Sequence, residues 1–534
     1  MSPNYRVSAT FLANLALVAI IAGAAPASAA DPPTPTSVPA RPFRIKIVDS
    51  QTNRGVPLVE LTTVNGIVNL TDSAGIIAFD EPGLMNEEVF FSVKSHGYTY
   101  PKDGFGNAGL RLHTEPGGSA TVRVDRVNIA QRLYRITGQG IYRDSVILGD
   151  KPPVAQPLLC GKVLGQDSVQ TALYRGKIYW FYGDTARSSY PLGNFAMSGA
   201  TSELPPPAAQ PTTRAAAGLR GLDPAVGIDL TYFVGPDGFS RGMCPIEGQP
   251  GPVWCDGMTV IADKTGRERL LCHFARMKSL GEMYEQGFAL YNDDKEIFEP
   301  VSRFPLDAVL YMRGNPVRVK DADGDYYYFA SPFPLVRCKA DYDSLLDPSR
   351  YEAYTCLEPG TRYDAAKPRV HREEGRLVYA WKRDTRLILQ KEQKELIAKD
   401  LMKSDEALIQ LRDAETGKPV LGHSGTVAWN AYRKAWVMIV QEGWGSSMCG
   451  EVWFTEAAAL IGPWGPARKI ITHDDYSFYN VAHHPFFDQE GGRVIYLEGT
   501  YTMAFSGTKT PTPRYDYNQI MYSLDLADPR LKLK

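Results

Sequence analysis

After residue 165 the chain repeats one pattern five times: a strand, a short polar turn, and a second strand rich in Tyr, Trp, Phe and Val. The first copy runs from Ser168 to Tyr174, turns at Arg175-Gly176-Lys177, and returns through Ile178-Tyr179-Trp180-Phe181-Tyr182. The second spans Gly257 to Met277 and turns at Asp263-Lys264-Thr265-Gly266. The third spans Asn315 to Ser331, turning at Asp321-Ala322-Asp323-Gly324-Asp325. The fourth spans Gly425 to Glu442, turning at Tyr432-Arg433-Lys434, and the fifth His483 to Gly499, turning at Asp488-Gln489-Glu490-Gly491-Gly492.

Antiparallel hairpins returning at long, loose spacing predict an all-β fold, a five-bladed β-propeller over residues 156–534. Such a fold gathers the inner ends of its blades around one cavity. Functional residues are then expected near the start of each repeat, distant in sequence and close in space.

The 534 residues are enough for more than one domain. With 58 basic and 60 acidic residues, the chain offers no electrostatic case for nucleic acid or an anionic membrane surface. Its 29 Tyr and 8 Trp serve either blade packing or stacking on sugar rings. Residues 1–30 read as a secretory signal: Arg6, an apolar run from Phe11 to Ala25, and small residues at Ala27-Ser28-Ala29. A single membrane anchor is the competing reading, and the run is short for one. The protein is thus expected to be exported, periplasmic or extracellular, without a membrane span after cleavage. Residues 31–41 form a Pro-rich linker. Seven cysteines follow, with Cys244–Cys255 and Cys338–Cys356 as candidate disulfides and at least one thiol left over.

Residues 42–128 read as short alternating strands, beginning with the period-two segment Phe43 to Asp49. Asp49 precedes Thr52-Asn53-Arg54-Gly55-Val56-Pro57. Thr71-Asp72-Ser73-Ala74-Gly75 and His96-Gly97-Tyr98 follow. This series resembles the carboxypeptidase regulatory-like (transthyretin-like) family, which implies a seven-stranded β-sandwich serving as an accessory module. Residues 129–155 join the two domains, with Arg132, Arg135 and Arg143 interleaved among apolar residues, as a docked strand or as a ligand contact. Leu204 to Ala217 reads as a Pro/Ala/Thr-rich loop, and residues 384–413 as a helical insertion with a break near Ser404.

Gly165-Gln166-Asp167-Ser168-Val169 places a carboxylate just before the innermost strand of the first repeat, where it can deprotonate water. Trp254-Cys255-Asp256 opens the second repeat. Glu451-Val452-Trp453-Phe454 with Gly462-Pro463-Trp464 closes the fourth. This set resembles the five-bladed propeller glycoside hydrolases of the arabinanase and β-xylosidase type. The resemblance implies Asp167 as base, Asp256 as a supporting carboxylate, Trp254 beside the sugar, and a His near the fifth opening helping to hold a central ion. On that basis His483 and His484 are candidate ligands of a divalent metal such as calcium, one of them facing inward because side chains alternate. His423 opens the fourth repeat in the same manner.

The chain departs from that family at the third opening, Tyr311-Met312-Arg313-Gly314-Asn315, where the resemblance calls for a Glu as general acid. Glycoside hydrolysis needs two carboxyl groups. Glu442, Glu498 and Asp184 each follow the second strand of a hairpin and are the candidates for the missing acid. Arg313 suits either a substrate carboxylate or sulfate, or an ion pair with Asp167 or Asp256. The expected ligand is a poly- or oligosaccharide. Three readings compete: a hydrolase, a non-catalytic glycan-binding protein, and a lyase in which Arg313 neutralises a uronate.

Overall fold

The computed structural model describes residues 41–534 except 195, 206–221, 249, 515 and 534. The signal, nearly all of the linker and most of the Leu204–Ala217 loop lie outside the described residues. Among those described, no helix is long and apolar enough to cross a membrane.

The described chain is mostly β. Residues 43–126 contribute eight strands in two four-stranded sheets, one more strand than the expected seven. Phe43, Ile45 and Ile47 from one sheet and Leu61, Val89 and Phe91 from the other meet in one apolar cluster. The Thr71-Asp72-Ser73 turn docks these strands on the segment that follows. Ser73 donates its backbone N–H to Ile141 O (2.8 Å), and Asp72 accepts from the Ser145 backbone N–H (2.7 Å).

Beyond residue 165 stand five larger sheets. Sheet I comprises Gln170–Tyr174, Lys177–Tyr182, Ser198–Glu203 and Thr231–Tyr232. Sheet II comprises Val253–Ala262, Glu268–Ser279, Glu282–Asn292 and Ile297–Phe304. Sheet III begins with Asn315–Asp321 and Gly324–Ala330 and ends at Ala380–Arg383. Sheet IV contains Gly422–Asn430, Ala435–Glu442, Glu451–Ala457 and Trp464–Thr472, and sheet V Ser477–His483, Val494–Thr502 and Asn518–Asp525. Each first strand adjoins the first strand of the next sheet. Hydrogen bonds stitch the openings together: Gly314 N–H to Asp256 Oδ1 (2.8 Å), Asn315 Nδ2 to Gly425 O (3.3 Å), and Asn480 N–H to Gln441 Oε1 (3.0 Å). Asn480 Nδ2 then reaches back to Ser168 Oγ (2.6 Å), joining the fifth sheet to the first.

Four expectations change. The segment Gln131–Arg135, expected in the interdomain stretch, is the fourth strand of sheet V and pairs antiparallel with Asn518–Asp525. Its side chains Arg132, Leu133, Tyr134 and Arg135 are buried. The fifth hairpin starts at Ser477, so His483 ends its first strand instead of opening it. Asn480 adopts a left-handed backbone (φ 53°) inside that strand, breaking the alternation that would have marked it. In the 384–413 insertion only Gln390–Ala398 is an α-helix; Ser404–Glu406 is a 3₁₀ turn. Ile409–Asp413 alternates buried and open positions and joins sheet IV parallel to Trp464 onward. All seven cysteines are free thiols, including the pairs expected to bridge.

Candidate functional site

Sheet V meets sheet I through several hydrogen bonds. Asp167 donates its backbone N–H to Asp184 O (3.1 Å) and accepts at its own carbonyl from Gly183 N–H (2.7 Å). The start of the first hairpin and the end of its return strand are thereby locked, bringing two sequence-predicted carboxylates together. Gly183 is required for this approach: a Cβ there would lie 2.2 Å from Asp167 Oδ1. The Tyr479 hydroxyl donates to Asp167 Oδ2 in a short hydrogen bond. Ser168 donates its backbone N–H to Thr500 Oγ1 (2.9 Å). Ser168 and Asn480, bonded to each other, both adopt left-handed backbone conformations (φ 53° each). Each such residue costs about 1–3 kcal/mol, and strain of this kind concentrates at functional sites.

Burial pushes the Asp167 carboxyl up to about 7, with the Tyr479 hydrogen bond opposing the rise and the Asp184 charge adding to it. Burial alone pushes Asp184 up to about 6. The Oδ1 atom of each is buried without a hydrogen-bond partner within the described protein. The phenol of Tyr517 lies close enough to both carboxylates that their charge helps hold it well above its usual range, after burial. Phe505, 54 % exposed, stands edge-on to Tyr479 at 5.9 Å. Tyr479, Asn480, Tyr517 and Phe505 were not assigned from sequence. The one available signal was that Tyr479-Asn480 stands just before the His-His pair.

The other expected residues are placed as follows. Asp256 is a brace: its Oδ1 accepts the Gly257 N–H (2.7 Å) and the Gly314 N–H (2.8 Å), tying sheet II to sheet III. Burial raises its carboxyl, and Arg313 opposes the rise. Trp254 is half-buried in the same strand, and Arg313 is exposed. Glu442 accepts from Trp453 Nε1 (2.8 Å), with burial raising its carboxyl. Glu498 is fully buried against His484 (3.0 Å), away from solvent.

Burial holds Glu498 well above the usual carboxylate range and His484 down at about 3, so burial favours the neutral form of each partner. Glu498→Gln preserves the hydrogen bond to His484. It is expected to alter stability by no more than about 1 kcal/mol and to leave activity intact, as a thermal melt and an assay of the variant would show. Loss of activity in a folded variant would restore Glu498 as the acid. His483 is likewise spent, on Asp488 at 2.8 Å. Among the described residues no three His, Cys, Asp or Glu side chains gather as a metal site needs. His483 and His484 each engage Nε2 with a carboxylate of their own hairpin.

No known family pattern and no curated protein matches the chain. Solved structures do resemble it. The exo-β-1,3-galactanase of Phanerochaete chrysosporium is 11 % identical at a TM-score of 0.35, covering 76 % of this chain and 66 % of that one. The α-L-arabinofuranosidase of Fusarium graminearum is 11 % identical at 0.33, covering 74 % and 99 %. A β-xylosidase/α-arabinofuranosidase from a compost metagenome is 12 % identical at 0.32, covering 72 % and 96 %. Likeness at this level carries no functional argument, and the reading rests on the site's own groups.

Proposed function

We propose that the five sheets are the blades of a five-bladed propeller, that the eight preceding strands form an accessory β-sandwich, and that the protein is an exported glycoside hydrolase. The observation that carries the activity is the Asp167–Asp184 pair: a buried and a half-buried carboxyl with raised pKa values, each with one oxygen that no described protein group hydrogen-bonds. Glycosidic cleavage requires one carboxylate to take a proton from water and one carboxylic acid to protonate the departing oxygen. Asp167 is the base. Its Oδ2 is steadied by Tyr479, and its Oδ1 accepts the proton from water as the water oxygen bonds to the anomeric carbon. Asp184 is the acid, giving its proton to the leaving oxygen as the old C–O bond breaks. Phe505 offers an exposed ring on which a sugar face can stack.

The pair titrates as a unit, so the apparent values near 6 and 7 belong to both groups. It holds one proton between those values, and the reactive form is the one that carries that proton on Asp184. kcat/KM is therefore expected to peak near pH 6–7, falling on the acid side as both groups protonate and on the alkaline side as both ionise. A flat profile from pH 5 to 9 would remove the pair from catalysis.

Asp184→Asn is expected to lower kcat on a natural glycan by roughly 10²–10⁴-fold. On an aryl glycoside whose leaving group needs no proton, the same variant should stay near wild type. Equal loss on both substrates would reassign the acid. The second reading, a non-catalytic glycan-binding protein, is favoured by Arg313 at the sheet III opening, where no carboxyl stands. Incubation with neutral, uronic and sulfated polysaccharides separates the readings. New reducing ends mean hydrolysis, reducing ends with an unsaturated product mean elimination, and binding without products means recognition alone.

A further inference from the structure

A cavity of about 390 Å³ lies beside Arg313, lined by neither Asp167 nor Asp184. Its walls come from the connection between sheets II and III, from the middle of sheet III, and from the stretch leading into the helix Gln390–Ala398. The volume falls within the roughly 300–1,000 Å³ of small-ligand sites. Phe329, Phe333 and Leu389 supply apolar surface, and three guanidinium groups share the space: Arg313, Arg362 and Arg386.

The three arginines are not equivalent. Arg362 is committed to Asp384, through a 2.7 Å ion pair and a 2.6 Å bond to its carbonyl. Arg313 and Arg386 are exposed and form no ion pair among the described residues. Of the two acids on the wall, Glu392 is occupied at the start of the helix, accepting the Leu389 N–H (2.9 Å). Asp307 is exposed and forms no ion pair among the described residues. Unpaired guanidinium forks beside apolar and aromatic walls match a ring that carries an oxyanion, which they can grip bidentately.

We propose that this cavity is a subsite for an anionic sugar, with Arg313 and Arg386 gripping a carboxylate or sulfate while the apolar walls take the ring. The inference rests on the glycan reading of the protein and adds the charge of its substrate. Arg313 links the two places: at the sheet III opening it lies close enough to Asp256 to lower that carboxyl's pKa, and it also lines the cavity.

Calorimetric titration of the full chain with three probes tests it: a trigalacturonate, its fully methyl-esterified neutral form, and a sulfated galactotriose. At least one anionic probe is expected to bind tenfold or more tighter than the neutral ester, and the one preferred identifies carboxylate or sulfate as the group held. That preference should shrink in high salt and disappear in Arg386→Gln and Arg313→Gln, with unchanged melting temperatures confirming their folding. Equal binding of all three probes, binding of none, or a preference surviving both substitutions overturns the subsite. The two readings fail separately. Cleavage of neutral glycans without anionic preference overturns the subsite alone, while anionic preference without cleavage of any glycan overturns the hydrolase alone.

Discussion

Asp167→Asn is expected to abolish glycan cleavage, by roughly 10²–10⁴-fold or more, and at the same time to stabilise the protein at alkaline pH. The second effect follows from linkage. The folded pair keeps a proton up to about pH 7, whereas the unfolded chain releases it near the ordinary value of 3.8. Stability from this group is complete below the unfolded value and is lost as pH rises through the folded one. Asn carries no charge to bury, so its advantage is absent near pH 3 and full above pH 8. The shift corresponds to a few kcal/mol, about 4 at most, before the altered contact with Tyr479 is counted. Melting temperatures of both proteins at pH 4 and pH 8.5 provide the check. A variant less stable than wild type at both would mean that the buried carboxylate is compensated elsewhere. Full residual activity would remove Asp167 as the base.

A chain beginning at Gln156 is expected not to fold, whereas one beginning at Val127 is expected to fold with a lowered melting temperature. The first lacks Gln131–Arg135 and leaves sheet V with three strands. It uncovers the face against which Leu133 and Tyr134 pack, each at most 2 % exposed. Burying such side chains is worth roughly 1.5–3 kcal/mol each, against a typical total stability of about 5–15 kcal/mol. The ladder from Arg135 opposite Ile520 to Gln131 opposite Ser523 is lost as well. Circular dichroism and cooperative melting of the two truncated chains decide the point. A sharp transition near that of the full chain for the Gln156 start would show that sheet V closes without its fourth strand.

The five hairpins were legible because each is local: strand, polar turn and strand lie within about twenty residues, and turn chemistry announces them. The same locality made Asp167 and Asp184 visible as the two ends of one hairpin. What escaped was non-local. Tyr479 meets Asp167 across 312 positions, and no periodicity encodes that meeting. Gln131–Arg135 read as a strand, but its partner lies at the other end of the chain. The fifth opening was displaced because Asn480 leaves the extended conformation within its own strand, which breaks the period-two pattern there. Ile409–Asp413 was absorbed into a helical pattern because short apolar runs fit either period.

The closure of sheet V also sets a timetable. Arg135 Nε bonds Asn518 Oδ1, and 383 positions separate the two. At the ordinary pace of a ribosome, about 5–20 residues per second, the early strand waits roughly 20–80 s for its neighbour to be made. During that interval its apolar face and its unpaired backbone edge are open to any other chain. A protein built this way gains from being kept unfolded until synthesis is complete, and its yield should depend on how well the cell shields that one early strand.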